Sequence, residues 1–397
     1  MRGVELVSVL AAIAPLASYA APLALRSSKL ALSRRWEYSQ YFDVQGHRGG
    51  RGEYSEELLS AMAAGLRAGV STLEMDLALT KDGHLVVWHD EKLDSTKCRD
   101  NRPAYENDPL YPYVENKRNL ANLTLAQIKT LDCGSIRLEG FPLALTTPGA
   151  KISTLRELFD FVECATDEPV LFNIETKING DLRNETRSPE DFVTAFLEVL
   201  GERPAELTDR VTHQSFDWRA LVLSKQLAPQ LRTSALCDDT TLWAYPEGAT
   251  TGNLTTHGSG PSNWLAGIDI DDKRFSGATP GERAAQAAAS IKADILSPVG
   301  TSYASAESDP AVEGWIPFTT PAMVKTAHEL GLKVAVWTPD NLNLVDYLVK
   351  NCSADGVITD YPHVVHAWAF QQGLKLPNAP YDTSRIDQCL EKHLQFV

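Results

Sequence analysis

The sequence predicts an α/β fold: a closed TIM (β/α)8 barrel with a small subdomain inserted after the second strand and its hairpin. Three observations predict it. Short apolar runs alternate with helical runs along the chain, the pattern of parallel strands joined by crossover helices. Nine strand candidates occur, and one of them directly follows the hairpin signal Asp82-Gly83, which leaves eight for a barrel. Long polar segments follow strand ends, where a barrel carries its site-forming loops. A doubly wound sheet is the alternative arrangement of the same elements.

The strand candidates span residues 43–46, 72–79, 84–88, 170–175, 211–216, 232–237, 294–298, 333–338 and 356–359. Helical spacing marks 56–66, 154–164 behind the N-cap candidate Ser153, 188–200, 218–227, 280–292, 321–330 and 342–350. Residues 91–151 are rich in Asn, Pro, Tyr and charge and read as the inserted subdomain. Residues 238–279 are rich in Gly, Thr and Ser and read as a long loop. A tail follows from 363 to 397.

Composition sets the outer limits. The 397 residues are 43% hydrophobic, 22% charged and 8% aromatic, which excludes disorder, collagen and coiled coil. The formal charge is −15, from 37 Lys and Arg against 52 Asp and Glu. Such acidity argues against nucleic acid and anionic membrane as partners. It also requires that any anionic substrate be met by a local reversal of the field.

Residues 1–20 read as a signal peptide. Arg2 precedes the apolar run 7–16, and Ser18 and Ala20 stand at the small-residue positions of a cleavage site. The run is too short to span a bilayer, which takes about 20 apolar residues. The mature chain, 21–397, is then a single secreted, extracellular domain without a stable membrane anchor. Four sequons, at Asn122, Asn184, Asn253 and Asn351, are candidate N-glycan sites. Six cysteines suggest disulfides, with Cys98–Cys133 and Cys352–Cys389 the favoured pairs.

Chemistry concentrates at strand ends. His47-Arg48-Gly49 closes the first strand, and an Arg there offers a bidentate fork to phosphate. Glu74 and Asp76 lie two apart and so share one face of the second strand. Leu73, Met75 and Leu77 need the helix-facing side, which favours inward carboxylates, costly unless paired or bound to a cation; an outward-facing or salt-bridged pair is the competing reading. Hard oxygen donors suit Mg²⁺ or Ca²⁺. Glu175 and Lys177 repeat the device at the end of a later strand, where Glu175 can complete the metal site and Lys177 can reach phosphate; a surface ion pair is the competing reading. His89 follows Trp88 at another strand end. Two histidines beside a metal suit displacement at phosphorus, one moving a proton from the nucleophile or attacking, the other protonating the leaving oxygen.

These stretches, in their order, resemble the glycerophosphodiester phosphodiesterase family. The resemblance rests on His47-Arg48-Gly49, Glu74-Met75-Asp76-Leu77, Thr80-Lys81-Asp82-Gly83, Val86-Val87-Trp88-His89-Asp90, Ile152-Ser153-Thr154-Leu155, Asn173-Ile174-Glu175-Thr176-Lys177, Gln214-Ser215-Phe216-Asp217, Val336-Trp337-Thr338 and Thr359-Asp360-Tyr361-Pro362, and covers about residues 44–362. It implies Glu74, Asp76 and Glu175 as metal ligands, His47 and His89 as the acid/base pair, and Arg48 and Lys177 on the phosphate, with Trp337 lining the substrate pocket. It implies metal-dependent hydrolysis of small glycerophosphodiesters, such as glycerophosphocholine, to sn-glycerol 3-phosphate and an alcohol. The sequence departs from the family where Pro-Glu-Asn-Thr usually opens the first helix: Ser55-Glu56-Glu57-Leu58 stands there.

Two other functions compete. One is a lysophospholipase D or sphingomyelinase D type enzyme acting on lipids, and the other is a non-catalytic glycan-binding barrel. The charge count bears on the first reading. Glu74, Asp76 and Glu175 against Arg48 and Lys177 leave one negative charge, which repels a phosphodiester until a divalent cation reverses it.

Overall fold

The computed structural model describes residues 41–244, 258–377 and 381–397. The expected signal peptide, the sequon at Asn253 and the middle of the 238–279 loop lie outside the described residues. The strands are β1 (Asp43–Gly46), β2 (Thr72–Leu79), β3 (Leu85–Val87), β4 (Leu171–Thr176), β5 (Val211–Ser215), β6 (Arg232–Cys237), β7 (Ile295–Pro298), β8 (Lys333–Trp337) and β9 (Gly356–Thr359). Eight run parallel in the order β1-β9-β8-β7-β6-β5-β4-β2, and β1 pairs with β2 to close the ring. The fold is a TIM (β/α)8 barrel. β3 lies outside the ring as the antiparallel partner of β2, with Leu79 opposite Leu85 across the Asp82-Gly83 turn.

The helices are α1 (Leu59–Ala68), α2 (Leu125–Ile128), α3 (Leu155–Ala165), α4 (Pro189–Gly201), α5 (Ala205–Thr208), α6 (Trp218–Leu227), α7 (Pro280–Ser290), α8 (Pro321–Glu329), α9 (Leu342–Asp346), α10 (Pro362–Gln371) and α11 (Thr383–His393). Their starts follow from local chemistry. Thr154 and Thr279 form capping boxes with Glu157 and Glu282, and Pro occupies the first turn of α4, α7, α8 and α10. The helix expected at 56–66 begins later, at Leu59. Glu57 holds a left-handed φ of 65°, which no residue inside a right-handed helix can adopt. The helix expected at 342–350 ends at Asp346 and gives way to one wide π turn over Tyr347–Asn351.

Strand alternation sorts the side chains as the period of two requires. Leu73, Met75 and Leu77 of β2 and Phe172 and Ile174 of β4 face outward into one apolar cluster with Met62 and Leu66 of α1, Leu158 and Phe159 of α3, and Phe196 of α4. Glu74, Asp76, Asn173 and Glu175 therefore turn into the barrel, where all four are buried. A second cluster packs β8 and β9 against α7, α8 and α10 through Val334, Val336, Val357, Ala285, Val324 and Trp368.

The segment 91–151 carries its own small core of Leu93, Tyr113, Leu120, Leu123 and Leu131 around Trp88, with the expected disulfide Cys98–Cys133 inside it. Asp108 ties it together by accepting from Tyr113 Oη at 2.6 Å and Gln127 Nε2 at 2.8 Å. The tail pairs differently from expectation. Cys389 bonds Cys164, not Cys352. α11 packs along α3, which sets Cys389 beside the last turn of that helix, whereas Cys352 is buried after the π turn and free. Cys237 is also buried and free.

Two outcomes follow from this pairing. Non-reducing peptide mapping should link Cys98 to Cys133 and Cys164 to Cys389, with Cys237 and Cys352 alkylated only after unfolding. Replacing both Cys164 and Cys389 with Ser should cost about 2–5 kcal/mol in urea denaturation, because the bond closes a 225-residue separation in the unfolded chain.

Candidate active site

The site lies at the carboxyl ends of the strands and begins with a tight turn after β1. Arg48 and Gly49 both hold positive φ, 51° and 87°. A Cβ on Gly49 would meet the α1 backbone at Ala61 at 2.5 Å, so only glycine lets the turn sit this close to the helix. The turn aims the Arg48 backbone N–H at Glu74 Oε2, 2.9 Å away.

Parallel register builds the acidic centre. β2 and β4 pair so that Asp76 lies beside Glu175 and Glu74 beside Asn173. One carboxylate oxygen from each of Glu74, Asp76 and Glu175 lies within 4.8 Å of the others. Burial, and then the neighbouring Asp76, push the Glu74 carboxyl well above the ordinary carboxylate range. Glu175 is likewise raised by burial, although Lys177 pulls against it. Burial also opposes ionisation of Asp76, but Lys177, His89 and Arg48 together hold it well below its usual value. Asp76 Oδ2 makes no hydrogen bond, although it is ion-paired with Arg48 Nε. A buried set of three converging hard oxygen donors fits a divalent cation such as Mg²⁺ or Ca²⁺.

Cations surround this centre. Arg48 Nε lies 3.2 Å from Asp76, and Lys177 Nζ lies 3.1 Å from Glu175 and 4.0 Å from Asp76. Glu56 anchors the positive side chains behind them. It pairs with Arg48 at 2.8 Å, Arg51 at 2.7 Å and Lys97 at 2.6 Å. Burial would raise the Glu56 carboxyl, but Arg48, Lys97 and Arg51 outweigh it and hold it down at about 2.

Both expected histidines are fixed through Nδ1 by an aspartate. His47 Nδ1 meets Asp360 Oδ1 at 2.5 Å, and His89 Nδ1 meets Asp90 Oδ1 at 2.6 Å. Lys177 Nζ donates to His89 Nε2 at 3.1 Å, so that nitrogen is an acceptor and Nδ1 carries the proton given to Asp90. Burial, then Arg48 and Lys177, hold the imidazole of His89 down at about 3, and it is neutral at pH 7. Asp360 accepts further order from Asp340, whose Oδ1 accepts the Asp360 N–H at 3.0 Å.

The aromatic wall is wider than the sequence indicated. Trp337 stands edge-on to Phe216, with centroids 5.3 Å apart, and Trp264 meets the same ring at 6.3 Å. Lys177 Nζ lies 5.6 Å from the Phe216 centroid, so the wall adjoins the cationic side of the site. His213 is buried in β5 and structural. It bonds Ser224 and Thr176 inside the fold.

Residues 47–364 match the model of the glycerophosphoryl diester phosphodiesterase family. The chain belongs to that family. A glycerophosphodiester phosphodiesterase of Caldanaerobacter subterraneus subsp. tengcongensis is 32% identical over 193 residues, which cover 49% of this chain and 65% of that relative. A crystal structure assigned to the glycerophosphoryl diester phosphodiesterases, from Silicibacter pomeroyi, superposes with a TM-score of 0.60 at 26% identity, covering 85% of this chain and 95% of that one. A phosphodiesterase of Oleispira antarctica, solved with sn-glycerol-3-phosphate, shares the fold with a TM-score of 0.52 at 20% identity, covering 83% and 97% of the two chains.

Within this family member, all the residues singled out in the sequence meet in one place: His47, Arg48, Glu74, Asp76, His89, Glu175, Lys177 and Trp337. Sequence reasoning missed the partners: Asp90, Asp360, Glu56, Lys97, Phe216 and Trp264. Asp90 follows its histidine directly and was open to inference. Asp360 is 313 residues from His47, and only barrel closure joins them.

The Glu56 pairing predicts a pH signature. Its pKa is lowered from 4.5 to about 2 on folding, so its stabilisation is present above pH 4.5 and is lost as pH falls toward 2. Glu56→Gln should therefore lower stability at pH 7 by about 3 kcal/mol. The gap to wild type should narrow steadily between those two pH values in urea titrations; a gap independent of pH would contradict the pairing.

Proposed function

We propose that this protein is a metal-dependent glycerophosphodiester phosphodiesterase, a phosphoric diester hydrolase that yields sn-glycerol 3-phosphate and an alcohol. The observation that carries this reading is the convergence of two aspartate-anchored histidines with three buried carboxylates and the cations Arg48 and Lys177. Membership of the family and the product bound to the Oleispira antarctica phosphodiesterase support the substrate class.

Glu74, Asp76 and Glu175 would hold a divalent ion, which supplies electrophilic stabilisation of a phosphoryl oxygen. Arg48 and Lys177 bring fixed positive charge to the remaining oxygens. His89, held neutral with Nε2 as its acceptor, is suited to take a proton. His47, with Nδ1 against the Asp360 carboxylate, is suited to carry one and release it to the leaving oxygen. The aspartates fix each ring so that its proton moves at Nε2. The wall of Trp264, Phe216 and Trp337 orients the alcohol portion.

The protein is proposed to work outside the cell. Two disulfides suit an oxidising compartment, and the sequon residues Asn122, Asn184 and Asn351 are exposed. Among the described residues no helix is long and apolar enough to cross a membrane.

The assay is release of sn-glycerol 3-phosphate from glycerophosphocholine with Mg²⁺, Ca²⁺ or Mn²⁺, before and after chelation. Turnover should vanish on chelation and return with the ion; undiminished turnover would remove the metal from the reading. His47→Ala and His89→Ala should each lower kcat by roughly 10²–10⁴-fold with little change in melting temperature. Wild-type rates in both variants would overturn the acid/base assignment.

A further inference from the structure

Inside the barrel, five buried polar side chains form one hydrogen-bonded chain, and the proposed chemistry uses only the last of them. In order they are Asp43 and Gln45 of β1, Asn173 of β4, Gln214 of β5 and Glu74 of β2, each at 5% exposure or less. Gln45 Nε2 donates to Asp43 Oδ2 at 2.7 Å. Asn173 Nδ2 donates to Gln45 Oε1 at 2.8 Å and to Gln214 Oε1 at 2.7 Å. Gln214 Nε2 donates to Glu74 Oε1 at 3.3 Å.

The direction of every donor follows from Asp43. Its Oδ1 takes the Thr72 hydroxyl at 2.7 Å and its Oδ2 takes Gln45, so both oxygens act as acceptors. Gln45 must then show its N–H to Asp43 and its oxygen to Asn173. Asn173 answers with N–H groups on both sides, although its own Oδ1 accepts no hydrogen bond among the described residues. Turning any one of the three amides over would set acceptor against acceptor, which is costly among buried groups. The end of the chain that reaches Glu74 is therefore an N–H.

Glu74 depends on that N–H more than its two companions do. Asp76 is paired with Arg48 and Lys177, and Glu175 with Lys177. Glu74 makes no ion pair among the described residues. Its two oxygens are held by two N–H donors, Arg48 N on Oε2 at 2.9 Å and Gln214 Nε2 on Oε1. We infer that Gln214 is a positioning residue for the cation centre: its amide, oriented from Asp43 through Gln45 and Asn173, fixes the Glu74 side chain for the divalent ion. The inference rests on the metal-centre reading above and adds what orders one of its ligands.

Calorimetric titration of the metal-free full chain with Mn²⁺ tests it, with the melting temperature of the metal-free protein as a second readout. Gln214→Met keeps the length of the side chain and removes the donor. It should bind Mn²⁺ roughly 10- to 100-fold more weakly, the usual effect of losing a partner of a metal ligand. The far end of the chain separates orientation from packing. Gln45→Met lies two side chains away from Glu74 along the chain and should also weaken Mn²⁺ binding, by less than Gln214→Met. Asp43→Asn combined with Gln45→Glu restores the order, because the new amide donates to the new carboxylate, which still accepts from Asn173. This double variant should bind Mn²⁺ within about threefold of wild type even where it melts lower. Unchanged affinity in Gln214→Met, with Mn²⁺ bound by the wild type, would overturn the inference alone. So would equal weakening in Gln45→Met and the double variant, which marks a packing role. If Gln214→Met does not fold, those two variants decide the outcome. A wild-type protein that binds no Mn²⁺, Mg²⁺ or Ca²⁺ would sink the metal centre and this inference with it.

Discussion

Parallel pairing of β2 with β4 sets Asp76 beside Glu175 and Glu74 beside Asn173, and it forces like charges together in a buried place. Most of the structure around the barrel mouth can be understood as compensation for that crowding. Arg48 donates its backbone N–H to Glu74 and sets its guanidinium against Asp76. Lys177 bridges toward Glu175 and Asp76. Beneath them, Asn173 Nδ2 donates to Gln45 and Gln214 at 2.8 and 2.7 Å, and Gln214 Nε2 donates to Glu74 at 3.3 Å. These amides form a polar floor, so the carboxylates rest on hydrogen bonds and not on hydrocarbon. Protonation of Glu74 and Glu175 relieves part of that repulsion, and a bound cation would relieve it further.

The acidity of the whole chain takes on a different meaning at this scale. Counting only the first residues to be recognised, three carboxylates face two cations. The structure adds Glu56, Asp90 and Asp360 on one side and Arg51 and Lys97 on the other. These added charges are paired with one another. Glu56 gathers the basic side chains into a scaffold that holds Arg48 in place. Glu57 accepts the Asp76 backbone N–H, and burial and then Asp76 push its carboxyl well above the ordinary carboxylate range. A divalent ion held there would shift the field of this mouth toward positive charge. The global charge of −15 is therefore compatible with an anionic substrate.

Closure of the barrel completes the proposed acid/base pair. Gly46 of β1 lies in register with Thr359 of β9, so His47 and Asp360, each one residue beyond its strand, fall side by side. His89 has its aspartate next in sequence, on the segment leaving the β3 hairpin. The two rings are thus anchored alike by different means, one through local sequence and one through the last strand of the ring. The same closure places α10 directly after Asp360, and β8 ends in Trp337 against Phe216 beyond β5.

The sequence by itself determined the barrel and the residues that face into it. Strand alternation is a local property, so Leu73, Met75 and Leu77 could be assigned to the helix side and Glu74 and Asp76 to the interior without a structure. Asp82-Gly83 marked the extra strand, and Cys98–Cys133 was legible because it closes a short irregular segment. Residues whose roles depend on pairs distant in the chain were not legible. Asp360 finds His47, Cys389 finds Cys164, and Trp264 finds Phe216 only when helices and strands pack. Glu57 shows the remaining gap. Its place before an apolar helical run predicted a first helical turn, but the tertiary fold holds it in a left-handed conformation with its carboxylate buried against Asp76. Local propensity cannot anticipate that outcome, because it depends on the contacts made across the barrel mouth.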